Sequence, residues 1–132
     1  MAYLIGTFLT LAIFVFAFWI GLDRDRAFYP TVMLVIASYY DLFGAMGGST
    51  PALVKETLVT LVFVGVAVLG FKRNLWLVVA AMVGHAVFDF LHEHVVTNPG
   101  MPPWWPAFCL SSDLAAGAFL AWRLLRTPRL AA

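Results

Sequence analysis

The chain has 132 residues, of which 63% are hydrophobic and only 11% are charged. Soluble domains usually carry about a quarter charged residues, so this composition predicts an integral membrane protein. No basic patch interleaved with aromatic residues points to nucleic acid as a partner. The single cysteine, Cys109, excludes an intrachain disulfide and a CxxC metal or redox motif.

Five apolar segments follow one another, and each is long enough to span a bilayer, which takes about 20 residues. They predict an all-α, single-domain bundle of five transmembrane helices over residues 1–132, with approximate bounds 2–22, 28–48, 50–71, 74–96 and 102–126. The links are short and rich in charge, Gly or Pro, so consecutive helices are expected to be antiparallel neighbours. The first segment lacks a positive start and a small-residue cleavage site, which favours a retained helix over a signal peptide.

Positive charge is concentrated on one side of this predicted bundle. The turns after the first and third helices and the C-terminal tail hold every Lys and Arg except Lys55. Because cytoplasmic loops are enriched in Lys and Arg, the pattern predicts an N-terminus outside and a C-terminus in the cytoplasm. The first turn, Asp23–Arg26, alternates acidic and basic residues and is expected to be solvated.

The second and third helices each carry an acidic residue inside the predicted span. At 1.5 Å per residue from the outer helix end, Asp41 lies roughly 10 Å deep and Glu56 roughly 9 Å deep. A carboxyl group at such a depth is either protonated and hydrogen-bonded to a neighbour, or part of a functional site. For Glu56, neutralisation by the adjacent Lys55 is a third explanation.

The fourth helix carries the most informative pattern, His85, Asp89 and His92. Spacings of four and seven residues place all three side chains on one helical face, within an arc of roughly 60°. Two imidazoles and a carboxylate are suitable ligands for Zn, Fe or Cu, with an open position for water or substrate. The alternative is a metal-free hydrogen-bonded network. His94 points to the opposite side near the interface and is predicted not to be a ligand.

The fifth helix brings Asp113 to a depth of roughly 16 Å, close to that of His85. Four helices thus place an acid or imidazole in the outer half of the bilayer, which predicts one polar cavity that opens outward. Asp113, Asp41 and Glu56 are the predicted catalytic acids of this cavity. The preceding Pro-rich loop places Trp104 and Trp105 at the outer interface, as a substrate entrance or simply as anchors of a rigid hairpin.

The segments Arg26–Pro30, Ala37–Tyr40, His85–His92 and Asn98–Cys109 resemble an uncharacterised family of small multi-pass bacterial membrane proteins. The resemblance covers most of the chain. It implies a location in the bacterial inner (plasma) membrane and assigns no activity.

The leading functional hypothesis is a membrane protein with a buried His/Asp site that binds a transition metal. It would be a metal-binding protein, or a metalloenzyme that acts on a lipid-soluble small molecule from the outer leaflet. Two alternatives remain open: a proton- or ion-coupled small transporter, and an accessory subunit of a membrane complex. Because five helices offer limited surface to enclose a site, we expect a homodimer or a larger assembly in the lipid bilayer.

Overall fold

The computed structural model describes residues 1–132 and contains five long helices and no strands. The long helices are α1 (Ala2–Ile20), α2 (Phe28–Met46), α3 (Thr50–Lys72), α4 (Trp76–Val95) and α5 (Trp105–Arg126). Short 3-10 turns follow α1 (Leu22–Arg24) and α5 (Pro128–Leu130). The all-α prediction is therefore confirmed. The largest difference from the predicted bounds is at the start of α5, at residue 105 instead of 102.

Local sequence signals explain where several helices begin and end. Gly21 follows α1 with a positive φ of 81°, a conformation that glycine adopts without a steric penalty. The Ser49 hydroxyl accepts a hydrogen bond from the Ala52 amide at the start of α3, where Pro51 occupies the first turn. Pro106 has the same role at the start of α5. These signals produce short connections that fold each helix back onto the bundle.

Helix α5 lies between α1 and α4. Helix α2 packs on α3, and α4 contacts α3 and α2 as well as α5. Gly6 of α1 approaches the Phe108 carbonyl and the Ser111 side chain so closely that a Cβ atom would collide with both. Close backbone approach at small residues is the usual basis of helix packing in membranes.

Helices α1 and α2 meet where Phe14 packs edge-on against Phe28 and Tyr29. Beyond that contact they enclose a largely apolar cleft of about 890 Å³, and residues of α5 also line it.

Four helices, α1, α3, α4 and α5, are long and apolar enough to cross a membrane. Their outward surfaces carry large apolar side chains such as Phe8, Leu61 and Phe90, whose exposed fractions are 69%, 60% and 72%. Such surfaces are expected of helices that face lipid. Helix α2 has 19 residues, a comparable length, but its tyrosines and Asp41 lower its hydropathy.

The end of the bundle that holds the α1–α2 turn is fixed by one buried ion pair and by hydrogen bonds from Arg26 to backbone carbonyls. Asp23 is fully buried, and its Oδ2 lies 2.5 Å from Nε of Arg123 on α5. Arg26 donates hydrogen bonds to the carbonyl oxygens of Phe71, at 2.7 Å, and Leu130, at 3.0 Å. The expectation of a solvated turn was therefore wrong for Asp23, because an ion-pair partner on another helix compensates its burial.

Candidate functional site

The predicted face of α4 points into the bundle. His85, Asp89 and His92 are all buried, with at most 2% of each residue exposed. His94 and Glu93, at the same end of the helix, are exposed. The 3.6-residue period explains this division, because positions four and seven residues apart share a face. One helix thus supplies three polar groups to the interior.

His85 and Asp89 are joined by Asp113 of α5. His85 Nδ1 lies 2.6 Å from Asp113 Oδ2 and 3.6 Å from Asp89 Oδ1. One ligand-type atom from each residue lies within 4.8 Å of the others. All three side chains are buried. This buried His85/Asp89/Asp113 cluster has donor atoms that can hold a metal ion.

Two carboxylate oxygens of the cluster have no hydrogen-bond partner. They are Asp89 Oδ2 and Asp113 Oδ1, and both are buried. A buried carboxylate oxygen without a partner is costly, because it has lost water without gaining another interaction. A cation or a proton on these atoms removes that cost. The cluster therefore has unused capacity to bind a positively charged species.

His92 does not belong to this cluster. Its Nε2 lies 2.7 Å from Glu56 Oε1 of α3, and both side chains are fully buried. Asn98 Nδ2, from the loop before α5, donates to the same Glu56 oxygen at 3.0 Å. The predicted ligand His92 and the predicted acid Glu56 thus form a second buried histidine–carboxylate pair.

Tyr40 of α2 links the two histidine–carboxylate sites. Its hydroxyl donates to Asp89 Oδ1 at 2.6 Å. Its ring stacks on the His92 ring, with centroids 4.3 Å apart and planes 16° apart. Its carbonyl oxygen accepts a hydrogen bond from Asn98 Nδ2 at 3.1 Å. A single residue therefore contacts both sites and the loop that covers one of them.

Asp41 lies elsewhere, on the side of α2 that packs against α3. Its two carboxylate oxygens accept hydrogen bonds from Thr57 and Thr60, each at 2.6 Å. Because Asp41 follows Tyr40 directly, its side chain points about 100° away from that of Tyr40 around the helix. Both Asp41 oxygens therefore have a hydrogen-bond partner at the α2–α3 interface. In the cluster, by contrast, Asp89 and Asp113 each have one oxygen without a partner.

Trp104 and Trp105 both line the cleft between α1 and α2. Trp104 is 53% exposed, and the Trp105 ring packs against Phe43 at a centroid distance of 4.9 Å. Cys109, Ser112 and Asp113 line the same cleft from α5. Asp113 therefore belongs to the buried cluster and lies next to the cleft that the two tryptophans flank, although it is fully buried itself.

Neither Asn98 nor Tyr40 was predicted from the sequence as a site residue. Tyr40 is one of the regularly spaced buried positions of α2, with Met33 and Ala37 before it and Gly44 after it. A polar residue on such a face is a detectable signal. Asn98 lies in an irregular loop, where no periodicity indicates burial.

Comparisons with known proteins found no match to a protein-family model, to a curated protein or to a solved structure.

Proposed function

We propose that this chain is an integral membrane protein that binds a transition-metal ion at His85, Asp89 and Asp113. The observation that carries the proposal is the pair of buried, unpartnered oxygens, Asp89 Oδ2 and Asp113 Oδ1, beside an imidazole. Two carboxylates buried together repel each other, and a divalent cation between them removes both the repulsion and the desolvation cost.

The ligand chemistry favours Zn²⁺ or Fe²⁺ over Mg²⁺ or Ca²⁺, because Mg²⁺ and Ca²⁺ prefer sites made only of oxygen atoms, whereas this site includes an imidazole nitrogen. Donor atoms about 2.0 Å from a tetrahedral Zn²⁺ are roughly 3.3 Å apart. The separation of 3.6 Å between His85 and Asp89 is close to this value, and that of 2.6 Å between His85 and Asp113 is a hydrogen bond. Metal binding would replace the proton of that hydrogen bond and separate the two atoms slightly.

Three protein ligands leave one position for water or a substrate, as in catalytic zinc sites. We therefore extend the proposal to a metalloenzyme that acts on a lipid-soluble molecule. Asp113 lies at the boundary between the cluster and the cleft, where such a molecule would meet the metal. The pair His92 and Glu56, which Tyr40 connects to Asp89, would accept or supply protons.

Elemental analysis of protein purified without chelator tests the metal site. We expect about one Zn, Fe or Cu ion per chain. His85→Ala and Asp113→Ala should lower the metal affinity by at least about 100-fold, because each removes a ligand. His94→Ala, on the exposed side of the same helix, is the matched control and should keep the metal.

The variant His92→Ala distinguishes the two possible ligand sets. It should retain the metal if His85, Asp89 and Asp113 are the ligands, and should lose it if His92 replaces Asp113. A wild-type protein that takes up no Zn, Fe or Cu, even when each is added to protein in detergent, would contradict the proposal.

A second function, proton- or ion-coupled transport, is favoured by one observation. Two buried histidine–carboxylate pairs, His85 with Asp113 and His92 with Glu56, are arranged along α4. The Tyr40 ring lies beside both histidines, with centroid distances of 5.8 Å to His85 and 4.3 Å to His92. Chains of such groups are typical of proton pathways in membranes. In liposomes with an internal pH-sensitive dye, Glu56→Gln should then reduce proton flux, and Glu93→Gln, at an exposed position, should not. A flux equal to that of empty liposomes would exclude this function.

We further propose that all five long helices span the membrane, that the N-terminus lies outside, and that the protein resides in a bacterial inner membrane as a homodimer or larger assembly. The hydropathy of α1, α3, α4 and α5 and the asymmetric distribution of Lys and Arg support this topology.

A further inference from the structure

A small groove, called here the α2–α3 groove, lies at the end of the bundle that holds the α1–α2 turn. Its volume is about 200 Å³, and the residues that line it are Ala27, Pro30, Thr31, Leu34, Val68 and Phe71. Val68 and Phe71 are exposed, and α3, which carries both, is long and apolar enough to cross a membrane. The groove therefore opens toward lipid. Its volume is below the usual range of about 300–1,000 Å³ for small-molecule sites and fits part of one acyl chain.

Three basic residues lie together at one end of this groove. Lys72 is the last residue of α3 and follows Val68 by four positions, so the two share a helical face. Arg73 comes next, and both basic residues are exposed. Arg26 reaches the same place from the α1–α2 turn, because its Nε donates a hydrogen bond to the Phe71 carbonyl at 2.7 Å. The groove thus leads from apolar side chains to positive charge.

The charges of Lys72 and Arg73 have no acidic partner within the protein. The one ion pair between a Lys or Arg and an acidic side chain joins Arg123 to Asp23. Asp25, the other acid of the α1–α2 turn, lines the cleft between α1 and α2 and does not line this groove. Two exposed cations beside an apolar groove are therefore complementary to an anion that comes from outside the chain.

The place of these charges in the molecule indicates the source of the anion. A lysine at the end of a membrane span lays its aliphatic stem along apolar surface and holds its ammonium group at the level of the lipid headgroups. An anionic phospholipid brings its phosphate to that level and an acyl chain to the groove, so one molecule matches both features. A soluble anion matches only the charges. A zwitterionic lipid carries its own cation beside the phosphate and gains less from Lys72 and Arg73.

We propose that the α2–α3 groove binds one anionic phospholipid, with its headgroup phosphate at Lys72 and Arg73 and an acyl chain against Val68 and Phe71. The site contains no histidine, and its occupation is independent of a metal. Because the attraction between basic residues and anionic lipid is screened by salt, the affinity should fall as the ionic strength rises.

Native mass spectrometry of the protein in detergent tests this site. The protein is titrated with phosphatidylglycerol or with phosphatidylcholine that has the same acyl chains. Lys72→Gln removes one charge at the groove, and Lys55→Gln, the matched control, removes one from the opposite end of the same helix. Both lysines are exposed and neither forms an ion pair. Val68→Trp fills the groove, whereas Val62→Trp places the same side chain on the exposed surface of α3 outside it.

We expect the wild type to bind the first phosphatidylglycerol about 25-fold more tightly than phosphatidylcholine, a factor of about five for each of two basic residues near the headgroup. Lys72→Gln should lower the affinity for phosphatidylglycerol about fivefold and leave that for phosphatidylcholine unchanged. Lys55→Gln should keep both wild-type affinities. Val68→Trp should abolish the preferential binding of a first lipid, and Val62→Trp should have no effect.

Four results would overturn the proposal. They are equal wild-type affinities for the two lipids, equal losses in Lys72→Gln and Lys55→Gln, wild-type binding in Val68→Trp, and displacement of the lipid by millimolar inorganic phosphate, which would identify a soluble anion as the ligand. Treatment with a chelator should change none of the affinities. A protein that binds the lipid but takes up no metal would therefore contradict the metal site and leave the lipid site standing.

Discussion

At the scale of single residues, Tyr40 determines how the two histidine–carboxylate pairs are arranged. Its hydroxyl is the hydrogen-bond partner of Asp89 Oδ1, and its ring covers one face of His92. Without the hydroxyl, Asp89 would have no donor from α2, and its second oxygen is already unpartnered. Tyr40 therefore orients Asp89 toward His85 and fixes the position of His92.

The substitution Tyr40→Phe isolates the contribution of that hydroxyl. It keeps the stacked ring and leaves a buried carboxylate oxygen unpaired, so we expect the free energy of unfolding to fall by about 1–3 kcal/mol. Unfolding in mixed micelles, followed by circular dichroism, measures the change. Tyr39→Phe is the matched control, because Tyr39 is 37% exposed and packs on Trp105. Equal stability of the two variants would contradict the role given to Tyr40.

The sequence predicted which helices carry buried polar residues better than it predicted which of those residues contact each other. The face of α4 followed from spacing alone, and depth correctly brought Asp113 to the level of His85. Spacing could not predict that His92 would pair with Glu56 and stay outside the His85 cluster, because that pairing depends on the rotation of α3 about its own axis. The rotation of α2 about its own axis was unpredictable in the same way. It directs Tyr40 toward the histidine sites and Asp41 toward α3.

At the scale of helices and loops, the connection from α4 to α5 holds the pair of His92 and Glu56 in place. Asn98 of this loop bonds to Glu56 and to the Tyr40 carbonyl, and so joins α2 and α3 above His92. Two residues later, Gly100 lies against the Phe43 carbonyl and the backbone of Gly47, at the end of α2. A side chain at Gly100 would collide with the end of α2 in this position of the loop.

This close approach makes Gly100 a sensitive position. A Cβ atom in Gly100→Ala would overlap the Phe43 carbonyl, and we expect a loss of about 1–3 kcal/mol in the free energy of unfolding. Gly65→Ala is the control, because nothing lies near the Cβ position of Gly65 in α3 and alanine favours helix by about 1 kcal/mol. Unfolding curves of both variants in detergent measure the difference. Gly100→Ala as stable as the wild type would show that the loop tolerates displacement from α2.

Helix bounds were predictable because their signals are local, whereas the packing order was not. Ser49 and Pro51 mark the start of α3, as the sequence predicted, whereas the predicted first helix continued past Gly21, the residue that caps the end of α1. The prediction that consecutive helices are close neighbours describes α2 with α3 well. It describes α1 and α2 poorly, since α1 packs mainly on α5 and leaves the cleft open. The close contact of Gly6 with α5 and the packing of Phe14 on Phe119 and of Phe18 on Trp122 favour that arrangement. None of these residues indicates its partner helix from the sequence alone.

At the scale of the whole molecule, polar interactions divide between two ends with different chemistry. The end with the α1–α2 turn holds the ion pair of Asp23 with Arg123 and the contacts of Arg26. Toward the opposite end lie the histidines, their carboxylates and the covering loop with Asn98. Positive residues are thus concentrated at the end with the α1–α2 turn, and the histidine sites lie toward the opposite end.

Cysteine labelling of intact cells decides the orientation of the bundle in the membrane. Cys109 is buried, and Cys109→Ala gives a background without thiols, into which Pro103→Cys or Lys72→Cys is introduced at exposed positions near opposite ends. We expect a membrane-impermeant maleimide to label Pro103→Cys in intact cells and Lys72→Cys only after permeabilisation, because seven of the eight basic residues lie on the side of Lys72. The reverse labelling pattern would show that the C-terminus lies outside and that both histidine pairs lie near the cytoplasmic leaflet. Labelling of both positions in intact cells would contradict a single orientation.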